Sequence, residues 1–220
     1  MKLDLHVHST CSRDATASPR EVMSHCKKLG LDGLAITDHN AIAGSVEAHG
    51  LGKEHGLLVV RGIEVSAREG HVLALGVAEL IPKGMTAAET IDKIHSLGGI
   101  AVAAHPHRFP SGVGLEVARK ERFDAIEVIN GGSSRRSNAL ARRVAEERRL
   151  PITAGSDAHE LVQLGKAYTV AESCETEDDV LDAIKKGLTQ AGGRSRTRSE
   201  GVRYSVETLI EWLRGDFKRL

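Results

Sequence analysis

Cysteine is sparse in this sequence, with three residues, Cys11, Cys26 and Cys174, widely spaced and odd in number. That excludes a disulfide framework and fits a reducing compartment. Charge of either sign is not in excess: Lys plus Arg and Asp plus Glu are 30 each. No basic field argues for nucleic-acid binding, and no acidic surplus argues for a disordered tail. Long apolar runs are missing too. The opening "MKLDLHVH" breaks off in charge and histidine, and no stretch approaches the roughly 18 apolar residues of a membrane span. The expectation is a soluble, cytoplasmic protein with no membrane partner. Aromatics are few, with three Phe, two Tyr and one Trp, whereas histidines number 11. Histidine is the commonest metal ligand, so this imbalance points to a metal site.

Short β-type runs alternate with stretches of helical period, which implies one α/β domain. "KLDLHVH", "GLAITDH", "LLVVRGIEV", "GIAVAAH", "FDAIEVIN", "LPITAGSDAH" and "KAYTV" read as strands, and "REGHVLALGV" as a further strand in a hairpin. Helices are expected at about 18 to 29, 43 to 55, 86 to 97, 137 to 149, 176 to 187 and 205 to 214. Ser18 and Pro19 open the first, and Gly30, Gly56, Gly98 and Gly187 sit where helices should stop. Such alternation means a parallel sheet, open or closed into a barrel. Residues 191 to 201, "AGGRSRTRSEG", read as a loop whose Arg194, Arg196 and Arg198 are solvated. The segment 202 to 220 reads as a C-terminal helix packed on the same domain.

Polar residues fall at the ends of these strands. His6 and His8, two apart, share one face of the first strand. Asp38 and His39 end the second, Glu64 the third and His105 a later one, while Asp157 and His159 follow "LPITAGS". In a closed parallel barrel the C-terminal strand ends meet at the face where active sites lie. All of these residues would then collect at one mouth.

The motifs "DLHVHSTCSRD", "ITDHN", "GIEVS", "HVLALG", "AHP" and "GSDAH", in this order, resemble those of the polymerase and histidinol phosphatase (PHP) superfamily. The resemblance implies a distorted (β/α)7 barrel over residues 1 to 190 that hydrolyses phosphate esters with two or three divalent metals. It implies one metal on His6, His8, Glu64 and Asp157, a second on Glu64, His71 and His105, and a third on Asp14, His39 and His159. Glu64, Asp157 and His159 would be the catalytic residues. Imidazole and carboxylate donors suit Mn, Zn or Fe. A bridging carboxylate holds two such ions about 3.5–4 Å apart, and a water between them becomes the nucleophile that attacks phosphorus in line.

Around this set, Asp38 is expected to accept an imidazole N–H and fix a tautomer. Arg108, Arg135 and Arg136 lie on loops at the mouth and are candidates for substrate contact, and Asn130, at the end of "AIEVIN", faces the same mouth as a substrate contact or a loop cap. His107 should point away from the metal of His105 or serve the substrate. His25, His49, His55 and His95 lie in helical stretches and read as solvated, and Cys11 is not expected to ligate. The substrate expected is a nucleotide, a sugar phosphate or an amino-alcohol phosphate, with nucleic acid entering as substrate only. "AHP" and "FDAIEVIN" lie close together in the sequence, with no room for an inserted cap over the mouth. Exonuclease and phosphotyrosine phosphatase activities, an amidohydrolase-type C–N hydrolase and a metal-binding accessory module are the alternatives.

Overall fold

The computed structural model describes residues 1–197 and 199–202. In chain order the elements are β1 (Lys2–Val7), α1 (Pro19–Lys28), β2 (Gly33–Ile36), α2 (Ala43–His55), β3 (Leu58–Val59), β4 (Gly62–Ser66), β5 (His71–Leu75), α3 (Ala87–Ser96), β6 (Ile100–Ala103), α4 (Leu115–Lys120), β7 (Ala125–Asn130), α5 (Arg135–Arg148), β8 (Ile152–Gly155), β9 (Ala167–Ala171), α6 (Glu177–Lys185) and β10 (Thr189–Gly193). Helix starts follow local chemistry. Ser18, Thr86 and Thr176 each accept from the backbone three residues on, and Glu21, Glu89 and Asp179 return the bond to the cap. Each such cap is worth about 1 kcal/mol.

The architecture is α/β with mixed sheets. The strands form two five-stranded sheets, in the orders β10-β9-β1-β2-β3 and β4-β5-β6-β7-β8, rather than the single closed ladder of the expected barrel. One cause is a break inside "LLVVRGIEV". The chain turns at Val60 and Arg61, leaving β3 in one sheet and β4 in the other. Arg61 is held there by α6: its backbone N–H donates to Glu177 Oε1 at 2.7 Å and its Nε to Oε2 at 2.8 Å. Residues 191–193, expected in a loop, instead pair antiparallel with β9 as the end of β10. Helix α4 was not expected. The C-terminal helix expected at 205 to 214 lies outside the described residues.

Backbone bonds stitch the two sheets together at two seams. At one, Asp157 N–H donates to His6 O at 2.7 Å and His8 N–H to Ala158 O at 2.9 Å. At the other, Asn40 N–H donates to Glu64 O at 2.9 Å and Glu64 N–H to Asp38 O at 3.3 Å. Gly155 lets the first seam close, because a Cβ there would lie 2.4 Å from His6 Cβ.

Strand alternation divides the core. Leu73 and Leu75, Ile100 and Val102, and Ala125 face an interior shared with Leu3 and Leu5 of β1 and with Val180, Leu181 and Ile184 of α6. Val72, Ala74, Ala101, Ala103, Ile126 and Val128 face outward to Ile91 and Ile94 of α3 and Val144 of α5. A third cluster, with Met23 and Cys26 from α1, Leu34 and Ile36 from β2 and Ala48 from α2, covers the first sheet. Burial pushes the Cys26 thiol up to about 12. The interior is apolar at one end and polar at the other. Glu64 pairs with Leu73 across the ladder and so shares its face, and Glu127 lies two residues beyond Ala125. No described helix is long and apolar enough to cross a membrane.

Leu34 is wholly buried on β2, so Leu34→Ala should destabilise the fold by about 2–5 kcal/mol. A fall in the urea midpoint without a change in slope would register it.

Candidate metal centre

The nine residues expected to bind metal come together around one buried carboxylate. Glu64, wholly buried, turns Oε1 to His71 Nδ1 at 2.9 Å and His105 Nε2 at 3.0 Å. Its Oε2 faces His39 Nδ1 at 3.1 Å and the Nε2 atoms of His6 and His8, each at 3.3 Å. Asp157 Oδ1 lies 3.2 Å from His8 Nε2 and 3.5 Å from His6 Nε2. Asp14 Oδ2 stands 3.1 Å from His159 Nε2 and 3.5 Å from His39 Nε2. Ligand atoms close enough to share an ion occur in the sets His6, His8 and Asp157; His6, Glu64 and His105; His39, Glu64 and His71; and His8, His39 and His159.

The donors fit divalent metals. His6 Nε2, His8 Nε2, His39 Nδ1, His105 Nδ1, Glu64 Oε2 and Asp14 Oδ1 are buried without a hydrogen-bond partner. Each such orphan costs about 1–3 kcal/mol in a folded interior, and cations satisfy them together. Burial opposes ionisation of Glu64, yet His71, His39 and His6 hold its carboxyl well below the usual range. Asp157 is likewise held down against burial, first by Arg108 and then by His6. Burial lowers His8 and His105, favouring the neutral imidazole that coordinates a metal. The backbone is strained at His105 (φ 30°) and Asp157 (φ 54°), in the left-handed region that non-glycine residues rarely adopt.

The surroundings depart from expectation in places. Asp38 is buried beside the centre but does not meet an imidazole: Ser9 N–H donates to its Oδ1 at 2.6 Å and Ser9 Oγ to its Oδ2 at 2.7 Å. The tautomer-fixing role belongs to Glu127, which sequence reasoning missed. Its Oε1 lies 3.0 Å from His6 Nδ1, while Oε2 accepts from His105 N–H at 2.8 Å and Asn130 Nδ2 at 3.0 Å. With Nδ1 bound to Glu127, Nε2 of His6 is the face offered to a metal. Its signal was a lone carboxylate at mid-strand in the apolar run "AIEVI". Ser12 was also missed; its Oγ accepts from His39 N–H at 2.8 Å and lies 3.4 Å from His8 Nδ1.

Among the expected substrate residues, Arg108 reaches the centre and donates from Nη1 to Asp157 Oδ2. Asn130 is buried, with Nδ2 turned to Glu127 and Asp157. Arg135 and Arg136 are exposed on the first turn of α5, and no hydrogen bond or ion pair joins them to the cluster among the described residues. His107 is exposed.

The PHP domain profile matches residues 4–126 and a PHP-associated profile matches residues 135–189. An uncharacterized protein of Methanocaldococcus jannaschii is 43% identical over 117 residues, 49% of this chain and 68% of that protein. A phosphoribosyl 1,2-cyclic phosphate 1,2-diphosphodiesterase of Eggerthella lenta is 39% identical over 100 residues, 42% of this chain but 38% of that enzyme. In fold, the chain is similar to a two-domain Bacteroides vulgatus protein containing a predicted PHP-like metal-dependent phosphoesterase. The TM-score is 0.75 at 18% identity, over 88% of this chain and 65% of that one.

Replacing Glu127 by Gln sets an amide N–H₂ against a donor and should weaken metal affinity about 10–100-fold by loosening the hold on His6, with a loss of about 1–3 kcal/mol in stability. Titration calorimetry with Mn²⁺ on wild type and variant measures it.

Proposed function

The chain belongs to the PHP-domain family and is a metal-dependent hydrolase of the phosphoesterase type, and from that premise we propose that it cleaves a phosphate ester of a small substrate: a nucleotide, a sugar phosphate or an amino-alcohol phosphate. One observation carries the reading. Glu64 divides its two oxygens between two groups of imidazoles, His71 and His105 on one side and His6, His8 and His39 on the other. That is how a carboxylate shared by two cations is built.

In this reading His6, His8, Glu64 and Asp157 hold one ion, Glu64, His71 and His105 a second, and Asp14, His39 and His159 a third. The donor set, imidazole and carboxylate without thiolate, suits Mn, Zn or Fe. Such ions, when bound, polarise phosphoryl oxygens and make water acidic enough to supply the nucleophile. The chain's own groups set the rest. Three divalent ions would bring twice the charge that Asp14, Glu64 and Asp157 carry, and that surplus selects a phosphate dianion over a neutral amide. Arg108, at Asp157, is placed to add guanidinium donors to the phosphoryl oxygens. His159, one-fifth exposed at 20% and bonded to Asp14, meets the substrate from the solvent side.

The connection from His105 to β7 holds only the short helix α4 (Leu115–Lys120), which favours an open mouth. Exonuclease action on nucleic-acid ends and phosphotyrosine hydrolysis are therefore the variants of the proposal. In the same reading the two sheets are arcs of a distorted (β/α)7 barrel. A cytoplasmic setting suits the free thiols of Cys11, Cys26 and Cys174.

Glu64→Gln takes the shared ligand from two cations and should lower hydrolysis of phosphate monoesters at saturating Mn²⁺ by at least about a hundredfold. A loss of only a few-fold overturns the assignment. Inorganic phosphate should inhibit the wild type competitively. Faster turnover of amides than of monoesters would replace this reading with the C–N hydrolase.

A further inference from the structure

Asn130 ends β7 with its side chain wholly buried. Its amide nitrogen is committed, donating to Glu127 Oε2 at 3.0 Å and Asp157 Oδ2 at 3.3 Å. Two carboxylate acceptors on that side fix which end of the amide is nitrogen. The other end, Oδ1, has no hydrogen-bond partner, and a buried acceptor left unpaired is costly. It faces Gly132. A Cβ on that glycine would lie 3.3 Å from Asn130 Oδ1, 3.1 Å from Arg108 Nη1 and 3.3 Å from Asp157 Oδ2. The backbone of Gly132 is outside the left-handed region, so its conformation does not demand glycine. What the missing side chain provides is space where an acceptor, a guanidinium donor and a metal-binding carboxylate converge.

Resting on the phosphoesterase reading, we infer that Asn130 Oδ1, Arg108 and Gly132 form a subsite for a hydroxyl group carried beside the ester bond on the alcohol portion of the substrate. The ligand chemistry follows from the polar atoms. A hydroxyl donates to Asn130 Oδ1, pairing that acceptor, while its own oxygen can accept from Arg108 Nη1, which also serves Asp157. An anion would meet two oxygens, Asn130 Oδ1 and Asp157 Oδ2, that repel it. A methylene would leave Oδ1 unpaired, the situation in which enzymes discriminate most strongly against an analogue lacking a hydroxyl. Asn130 and Gly132 thus act as specificity residues: they sort esters by the carbon next to the phosphate, while the metal ligands act on phosphorus.

Two substrate pairs test this with the Mn²⁺-loaded wild type: glycerol 1-phosphate against 3-hydroxypropyl phosphate, and adenosine 3′-monophosphate against its 2′-deoxy form. Each pair differs in a hydroxyl beside the ester. The expected result is a kcat/KM ratio of about tenfold or more in favour of the hydroxyl in at least one pair. That ratio should fall towards one in Gly132→Ala and Gly132→Ser, which fill the space, with circular dichroism confirming the fold. A wild-type ratio near one in both pairs, or variants that keep the wild-type ratio, overturns the subsite. Should the variants fail to fold, the wild-type ratios decide alone. Hydrolysis of no ester in either pair overturns the phosphoesterase reading itself, a result distinct from equal hydrolysis of both members.

Discussion

The backbone of the residues that could hold metal closes the fold. The sheet that carries β1 and the sheet that carries β4 and β8 meet where Asp157 N–H reaches His6 O at 2.7 Å and where Asn40 N–H reaches Glu64 O at 2.9 Å. His6, Asp157 and Glu64 therefore place their side chains in the centre because their main chains are the rungs joining the two sheets. A rung fixes the position of a Cβ more tightly than packing does, since hydrogen-bond geometry tolerates little displacement. The close approach at Gly155, with no room for a Cβ beside His6, belongs to the same constraint. Loops placed at random over a surface could not deliver five imidazoles to one carboxylate with this economy of support.

Electrostatics at the centre rests on mutual compensation. Glu64 and Asp157 are buried carboxylates, and such groups ionise only when opposite charge stands near. Here imidazoles and Arg108 supply it, and in turn the carboxylates offset the desolvation of His6, which is held well above its ordinary pKa by Glu127, Asp157 and Glu64 despite burial. Removing any one member leaves its neighbours buried and uncompensated. The interior shared by β4 to β7 can tolerate this because the polar layer sits at one end, over an apolar layer of Leu73, Leu75, Ile100 and Val102 that excludes water from below.

Much of this was legible in the sequence, for local reasons. Capping boxes at Ser18, Thr86 and Thr176 are short-range chemistry, and histidine or carboxylate at strand ends needs only the period-2 pattern to be noticed. What escaped reading depends on distant partners. "LLVVRGIEV" is one apolar run by pattern, and it is Glu177, 116 residues from Arg61, that holds the turn dividing it. "TQAGG" has little strand propensity and becomes β10 through its pairing with β9. Asp38 and Glu127 were exchanged for a similar reason. Adjacency to His39 in sequence suggested a partner for an imidazole, whereas that carboxylate serves Ser9 and the true partner of His6 comes from β7.

The position of Glu127 shows how one residue couples the two halves of the problem. It sits on β7 in one sheet and bonds His6 on β1 in the other, so it works across the first seam in parallel with the backbone rung from Asp157. It also accepts from the N–H of His105, whose φ of 30° is strained, and from Asn130, which reaches on to Asp157. Strain of about 1–3 kcal/mol persists only where surrounding bonds over-determine it, and here one buried carboxylate supplies that bond while orienting a metal ligand. The same side chain thereby sets the tautomer of one histidine, the backbone of a second and the amide of Asn130. Because it touches both His6 and His105, which the proposed function gives to two different ions, its loss would in that reading be felt at both, which a residue serving a single site could not produce.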